Sequence, residues 1–268
     1  MMSGFSASWL ALREPYDRRA RNADVLNAMA ARFREQSSIA VVDLGCGTGS
    51  TLRAISPRLP AQQSWRLVDN DLSLLAHAAG LACPPKVTVA ARTVDLARDL
   101  ELALDGPADL VTTSALLDLV SQEWLDRLAI ESAARRLPVY AALTYQGQVE
   151  LAPVDDQDIV IVAAVNRHQN TDKGFGPALG PDAVKHAVKA FEKVGYGVLQ
   201  GPSDWVFEPN DREIQLEVLS GWAGAALELD MLSQARIDSW LTRRRKLVEA
   251  GRSTMRIGHS DIFAAPRS

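Results

Sequence analysis

Apolar positions along this chain follow two rhythms. Short unbroken runs such as Ile39-Ala40-Val41-Val42 and Val139-Tyr140-Ala141-Ala142-Leu143 read as strands buried on both faces, which need no alternation. Between the runs, apolar residues return every three or four positions, as in Leu26, Met29, Ala30 and Phe33, or Trp124, Leu125 and Leu128. These segments read as helices with one face on a core. In order, the pattern predicts helix over 7–34, broken near Pro15, then strands ending at Asp43, Asp69 and Val94, and a fourth strand with its loop over Ala108–Asp118. Asp71 is placed to cap a helix that Gly80 closes and Pro84-Pro85 stop. A helix over Gln122–Leu137 leads into a fifth strand, Pro138–Tyr145, and Gln146-Gly147-Gln148 reads as a hairpin turn into Val149-Glu150-Leu151. Ile159 to Val165 is β-branched, but Asp155, Asp156 and Asp158 at its head suit the positive end of a helix, and helix is the reading. A helix then starts at Asp182 and ends at Gly195, and a strand begins at Tyr196 and resumes at Trp205-Val206-Phe207. Two helices fill 211–250, and Thr254–Ala264 closes as a strand.

The first strand carries the chemistry. It ends in an acid and runs into glycines at alternate positions: Asp43-Leu44-Gly45-Cys46-Gly47-Thr48-Gly49. Without a Cβ the backbone turns tightly and comes close to a ligand. The helical composition of Ser50–Ile55 then delivers that ligand to a helix N-terminus. This is a nucleotide-type site, but the spacing is G-x-G-x-G, where a dinucleotide fingerprint has G-x-G-x-x-G. Asp43, two residues ahead of the first glycine, would repel a pyrophosphate and favour an ammonium group.

Composition narrows the class. With 268 residues, 47% hydrophobic and 23% charged, the chain has the make-up of a soluble globular domain. Its formal net charge of −4 argues against a phosphate-backbone partner, since that binding runs on Lys and Arg. Two cysteines, one inside the glycine loop, make no disulfide framework, so a reducing cytoplasm is expected. Arg13, Glu14 and Asp17 follow too closely on a short apolar run for a signal peptide, and no apolar segment approaches the length of a membrane span. No metal site is evident, because the four histidines are scattered and none pairs with a cysteine or another histidine at ligand spacing.

The glycine motif, with Asp69 20 residues beyond Gly49 at the end of the second strand, resembles the class I S-adenosylmethionine-dependent methyltransferases. The resemblance covers residues 37–145 most clearly. It implies a doubly wound α/β fold: a mostly parallel seven-stranded sheet with helices on both faces and an antiparallel last strand. Residues 1–36 would form an N-terminal helical cap, 37–208 and 253–266 the core, and 209–252 a helical insertion, all in one domain. The cofactor would be S-adenosyl-L-methionine. By resemblance, Asp43, Gly45, Cys46, Gly47 and Gly49 line its amino-acid end and Asp69, with Asn70 beside it, grips the ribose. Asp95 and the Leu96 amide read the adenine edge. Ser114 closes the cofactor side, and Arg21 or Arg13 meets the carboxylate while Tyr16 borders the acceptor.

The acceptor side is argued from fewer residues. The fourth strand's loop does not read Asn/Asp-Pro-Pro-Tyr/Phe, the pattern of enzymes that methylate base amines, so a small-molecule acceptor is expected. Asp118 is the only ionisable group in that loop. The segment Asn166–Asp182 mixes polar chemistry with glycines and prolines, as functional loops do, and His168 within it is the candidate base. His168 would otherwise cap the preceding helix. Two other readings stay open: a nicotinamide-dependent oxidoreductase, which Asp43 opposes, and a cofactor-binding module without turnover. The acceptor's identity and the oligomeric state are not legible.

Overall fold

The computed structural model describes residues 5–267. Its eight strands form one sheet: β1 (Ser38–Leu44), β2 (Gln62–Asp69), β3 (Val87–Thr93), β4 (Leu110–Ser114), β5 (Val139–Ala152), β6 (Tyr196–Pro202), β7 (Trp205–Phe207) and β8 (Thr254–Pro266). The order is β3-β2-β1-β4-β5-β8-β6, with β7 also on β8. The β1–β5 pairs are parallel and every pair made by β8 is antiparallel. The doubly wound sheet with an antiparallel close is therefore present, with eight strands where seven are expected. The extra one is the resumed stretch at Trp205. β6 and β7 pair with β8 one after the other, interrupted at Ser203-Asp204, where Asp204 accepts from the His259 amide and pairs with Arg256.

Among the described residues ten α-helices surround the sheet: α1 (Ala7–Ala20), α2 (Ala23–Arg32), α3 (Ser50–Ile55), α4 (Leu72–Ala79), α5 (Leu100–Ala103), α6 (Gln122–Ala134), α7 (Asp158–Gln169), α8 (Ala183–Lys193), α9 (Arg212–Glu228) and α10 (Gln234–Glu249). One core, with Val42, Leu44, Val111, Trp124 and Phe191, fills the face under α6 and α8. A second, with Met29, Val41, Trp65, Leu67 and Phe263, lies under α2 and α3. A third, around Trp205, Phe207, Ile214, Leu219 and Trp240, packs α9 and α10 against the far end of β5 and β8. No helix among the described residues is long and apolar enough to cross a membrane.

Two local expectations are corrected. The N-terminal helix does not break at Pro15, which sits inside α1; the break comes at Arg21-Asn22. Asn22 caps α2 by accepting from the Asp24 and Val25 amides, and a preferred cap residue decides where a helix restarts. Gln146-Gly147-Gln148 is not a hairpin turn either. β5 runs on to Ala152, because Val149–Ala152 pairs with the same partner, β8, after a register shift between Tyr145 and Val149. The positive φ of Gly147, 75°, absorbs that irregularity.

Candidate functional site

The glycine loop leaves β1 as expected. Gly45, Gly47 and Gly49 all have positive φ, at 64°, 52° and 82°, a region that L side chains rarely adopt. The Cys46 amide donates to the Val68 carbonyl, and the Gly47 amide to Asp69 Oδ2 at 2.9 Å, so the loop is pinned to the end of β2. Helix α1 lies across it. A Cβ on Gly47 would stand 3.0 Å from Leu10 Cδ1. Glu14 takes two hydrogen bonds of 2.6 Å from Arg53, whose Nη1 donates to the Thr48 carbonyl. The N-terminal cap is thus tied to the loop by a two-pronged ion pair.

Beneath this roof runs a buried polar seam. Asp43 is fully buried; Thr112 donates to its Oδ1 at 2.7 Å, and its Oδ2 has no partner. Burial pushes its pKa up to about 7, against the pull of Thr112 and Arg21. Arg21 projects from the α1–α2 break into the same space and is also buried. It donates to the Tyr140 hydroxyl at 3.2 Å and to Ser114 Oγ at 3.4 Å, while its Nε has no partner. Burial works against its charge, but Tyr140 and Asp261 outweigh that and leave its pKa raised. Two opposite charges, each with one unfilled hydrogen-bonding position, therefore sit at the head of the glycine loop. An orphaned buried polar atom is costly unless a ligand satisfies it.

The structure brings Arg21, Asp43, Ser114 and the glycines together, with Asp69 at the loop's edge. Asp69 Oδ1 accepts from the Asp71 amide at 3.0 Å, and Asn70 between them is exposed. The thiol of Cys46 is buried and its pKa is raised by burial and then by Asp43 and Asp69, so its part in the loop is the backbone. Asp95 is exposed beyond β3 and accepts from the Ala97 amide. Leu96 is buried, and its carbonyl accepts from Trp124 Nε1 at 2.6 Å. Arg13, the other carboxylate candidate, is not in this group. It is spent on Asp17 at 2.9 Å and stacks 4.7 Å from the Trp205 ring centroid. Tyr16 likewise donates to Asp211 at the head of α9.

On the acceptor side, Asp118 is buried in the loop after β4, its Oδ1 unpartnered. Burial raises its pKa to about 6, while its own amide, that of Tyr145 and the charge of Arg13 hold it down. The Gly180 amide donates to the Asp118 carbonyl, so the polar segment after α7 does back this loop. His168 is not in a loop: α7 extends through Gln169 and places it in the last helical turn. There Nε2 meets Glu228 of α9 at 2.8 Å and Nδ1 meets Lys173 at 3.2 Å. His259 is buried on β8, its pKa lowered to about 4 by burial and Arg13, which makes it a neutral packing residue.

Sequence reasoning missed Thr112, Tyr140 and Asp261. The signal for the last was present: an acid inside a closing strand flanked by Ile257, Ile262 and Phe263 has to be there for a reason. An open cleft of about 480 Å³ between α8 and the edge of β5 and β6 holds none of the candidate residues. Among the described residues no cluster of three His, Cys, Asp or Glu side chains is placed to hold a metal ion.

A family model described as a methyltransferase domain matches residues 41–138, from within β1 to the start of β5. No curated protein matches the chain. Among solved structures, a cyclopropane-fatty-acyl-phospholipid synthase-like protein from Lactobacillus casei is 16% identical with a TM-score of 0.53, covering 94% of this chain and 98% of that one. The cyclopropane synthase MmaA2 from Mycobacterium tuberculosis is 11% identical (TM-score 0.48; 98% and 100% covered). A methyltransferase from Thiobacillus denitrificans in complex with S-adenosyl-L-homocysteine is 13% identical (TM-score 0.42; 98% and 100% covered). At such identities the likeness is one of fold. The match over 41–138 gives those residues as a methyltransferase domain, and the strand order above is that of the class I methyltransferase fold, whose cofactor is S-adenosylmethionine.

Proposed function

We propose that this protein transfers the methyl group of S-adenosylmethionine to an oxygen or nitrogen atom of a small-molecule acceptor. The observation that carries the cofactor half is the buried pair Asp43 and Arg21, each with one unpartnered polar atom. The pair matches in sign and hydrogen-bonding capacity the ammonium and carboxylate of the cofactor's amino-acid end. Asp43 takes the ammonium; Arg21 and Ser114 take the carboxylate; Gly45, Gly47 and Gly49, with the Cys46 backbone, let the chain approach. Asp69, with Asn70 beside it, holds the ribose hydroxyls, and Asp95 with the Leu96 amide reads the adenine edge. A pyrophosphate at the same place would face Asp43, which is why a nicotinamide cofactor fits poorly.

The bound cofactor supplies an already activated methyl group, so the protein's work is placement and, for a protonated nucleophile, removal of a proton. Asp118 is suited to the second task. Its unpartnered Oδ1 is buried, and a pKa pushed up to about 6 leaves it ionised at neutral pH yet basic enough to accept a proton. In this reading His168, engaged by Glu228 and Lys173, braces α7 against α9. The free cysteines and the net charge of −4 agree with a reducing compartment and a partner that is not nucleic acid.

The test is a calorimetric titration with S-adenosylmethionine and with NAD, followed by a methyl-transfer assay against pools of small hydroxyl and amine compounds. Binding of the first alone, with turnover that Asp118→Asn lowers by roughly 10²–10⁴-fold at unchanged cofactor affinity, is the expected outcome. Binding without turnover on any pool would make the chain a cofactor-binding module. Binding of NAD alone would overturn the reading.

A further inference from the structure

We propose that Asp261 and Tyr140 are positioning residues that aim the Arg21 guanidinium at the cofactor's carboxylate, and that this buried relay sets the site's preference for ligands with an amino-acid tail. The inference rests on the cofactor reading above. A carboxylate with no exposure on a strand of Ile257, Ile262, Phe263 and Ala264 is costly unless it is fully hydrogen-bonded. Asp261 achieves this with donors from two separate parts of the fold. The Tyr140 hydroxyl donates to Oδ2 at 3.0 Å, the Leu143 amide to Oδ1 at 2.9 Å, and the Asn22 amide to Oδ2 at 3.0 Å.

Each bond bears on Arg21. Tyr140 donates to Asp261 and accepts from Arg21 Nη1, so its hydroxyl is orientated by both and fixes the guanidinium plane. The guanidinium also lies 5.8 Å from the Tyr140 ring centroid. Asn22 is the residue after Arg21, so its amide bond to Asp261 anchors the backbone from which the arginine projects. The Leu143 amide is free to reach Asp261 because β5 is irregular there: Leu143 has a φ of 57°, and the register shifts between Ala141 and Thr144. A non-glycine residue held in that region is strained and persists only where the surroundings over-determine it.

The geometry differs from that of a simple structural ion pair. Arg13–Asp17 and Arg244–Asp158 place guanidinium directly on carboxylate. Between Arg21 and Asp261 stands a phenol, and Arg21 Nε remains unpartnered. The relay holds the arginine in place without using up its donors.

The test compares two ligands that share adenine, ribose and a neutral sulfur: S-adenosylhomocysteine, which carries the amino-acid tail, and methylthioadenosine, which lacks it. Tyr140→Phe removes one hydroxyl and keeps the ring. It should weaken S-adenosylhomocysteine by about tenfold and methylthioadenosine by less than about twofold. Arg21→Ala should remove most of the preference by itself, and adding Tyr140→Phe to it should change nothing further. Asp261→Asn should give the same selective loss, with Tyr140→Phe deciding the matter if that variant does not fold. Equal weakening of both ligands, an unchanged ratio, or an effect of Tyr140→Phe that persists without Arg21 would each overturn the relay. Failure of the unsubstituted protein to bind either ligand would instead remove the cofactor reading, and the relay with it.

Discussion

Two buried charged clusters in this molecule use the same residue types to opposite ends. At the far end of the sheet, Arg244 is 1% exposed and each of its three nitrogens is engaged: Nε and Nη2 on Asp158, Nη1 on the Pro153 carbonyl at 2.7 Å. Asp158 also accepts from Trp240 Nε1 and the Asp155 amide, and Arg243 grips Asp155 beside it. At the head of the glycine loop, Asp43 and Arg21 are also buried, but each keeps an unpartnered atom. A closed network of this kind holds helices together. An open one has capacity left for a partner, and that difference is what supports the proposed cofactor site at the head of the glycine loop.

The comparison can be broken from either side. Arg244→Ala removes a fully buried side chain, strands the half-buried Asp158 carboxylate and loosens α10 from α7, and it should cost about 3–5 kcal/mol of stability in a denaturant titration. The folded fraction should still bind cofactor normally. Asp43→Asn should do the reverse. It removes a buried carboxylate, and Arg21 keeps its bonds to Tyr140 and Ser114 and the nearby charge of Asp261, so the apo-protein's melting temperature should hold or rise, while cofactor affinity falls roughly ten- to a hundredfold, the worth of a charge-assisted hydrogen bond. If Asp43→Asn destabilised the fold as much as Arg244→Ala, the distinction between open and closed clusters would fail.

The two clusters also differ in the sign of their pH dependence. Asp155, held by Arg243, has its pKa lowered to about 2, so it contributes stability above the ordinary carboxylate value near 3.8 and loses it as pH falls toward 2. Asp43 and Asp118 are raised to about 7 and about 6 by burial, so the folded state holds protons that the unfolded chain has already released. Their contribution therefore runs the other way: stability of the ligand-free protein falls as pH rises from about 4 to about 7. Cofactor affinity should climb through the upper part of the same window, as Asp43 ionises. Thermal melts from pH 4 to 8 on the unsubstituted protein and on Asp43→Asn check this; a parallel pair of curves would show that Asp43 does not contribute.

Much of this was legible from residues alone. The glycine loop and Asp69 announce themselves because close backbone approach and a strand-end acid leave local signatures. Asp71 was readable as a cap, and α7 as a helix, because the charges at a helix head act within a few residues. What stayed hidden depends on contacts across long stretches of chain. Nothing near Arg21 says that Asp261, on the last strand, anchors the residue beside it. Arg13 and Arg21 look alike in sequence, and only Asp17 and Trp205 decide that the first is spent elsewhere. The break between α1 and α2 was misplaced at Pro15, although the Asn22 cap that sets it was in plain view.

The smallest effect is expected at His168, where the sequence leaves a base and a helix cap both open and geometry favours a brace. A general base needs a ring nitrogen free to accept a proton. Lys173 Nζ lies 3.2 Å from Nδ1, and an ammonium only donates, so Nδ1 is the acceptor of that contact. The ring proton then sits on Nε2, where Glu228 accepts it at 2.8 Å. Both nitrogens are engaged, and by groups of α9 and of the segment after α7. The brace itself is weak, because Glu228 is 72% exposed and exposed pairs contribute only about 0–1 kcal/mol. His168→Ala should therefore lower stability by less than about 1 kcal/mol and leave cofactor affinity and turnover within about twofold. Turnover reduced by more than tenfold at intact stability would return His168 to the acceptor site, and would mean that Glu228 and Lys173 release the ring when the acceptor binds.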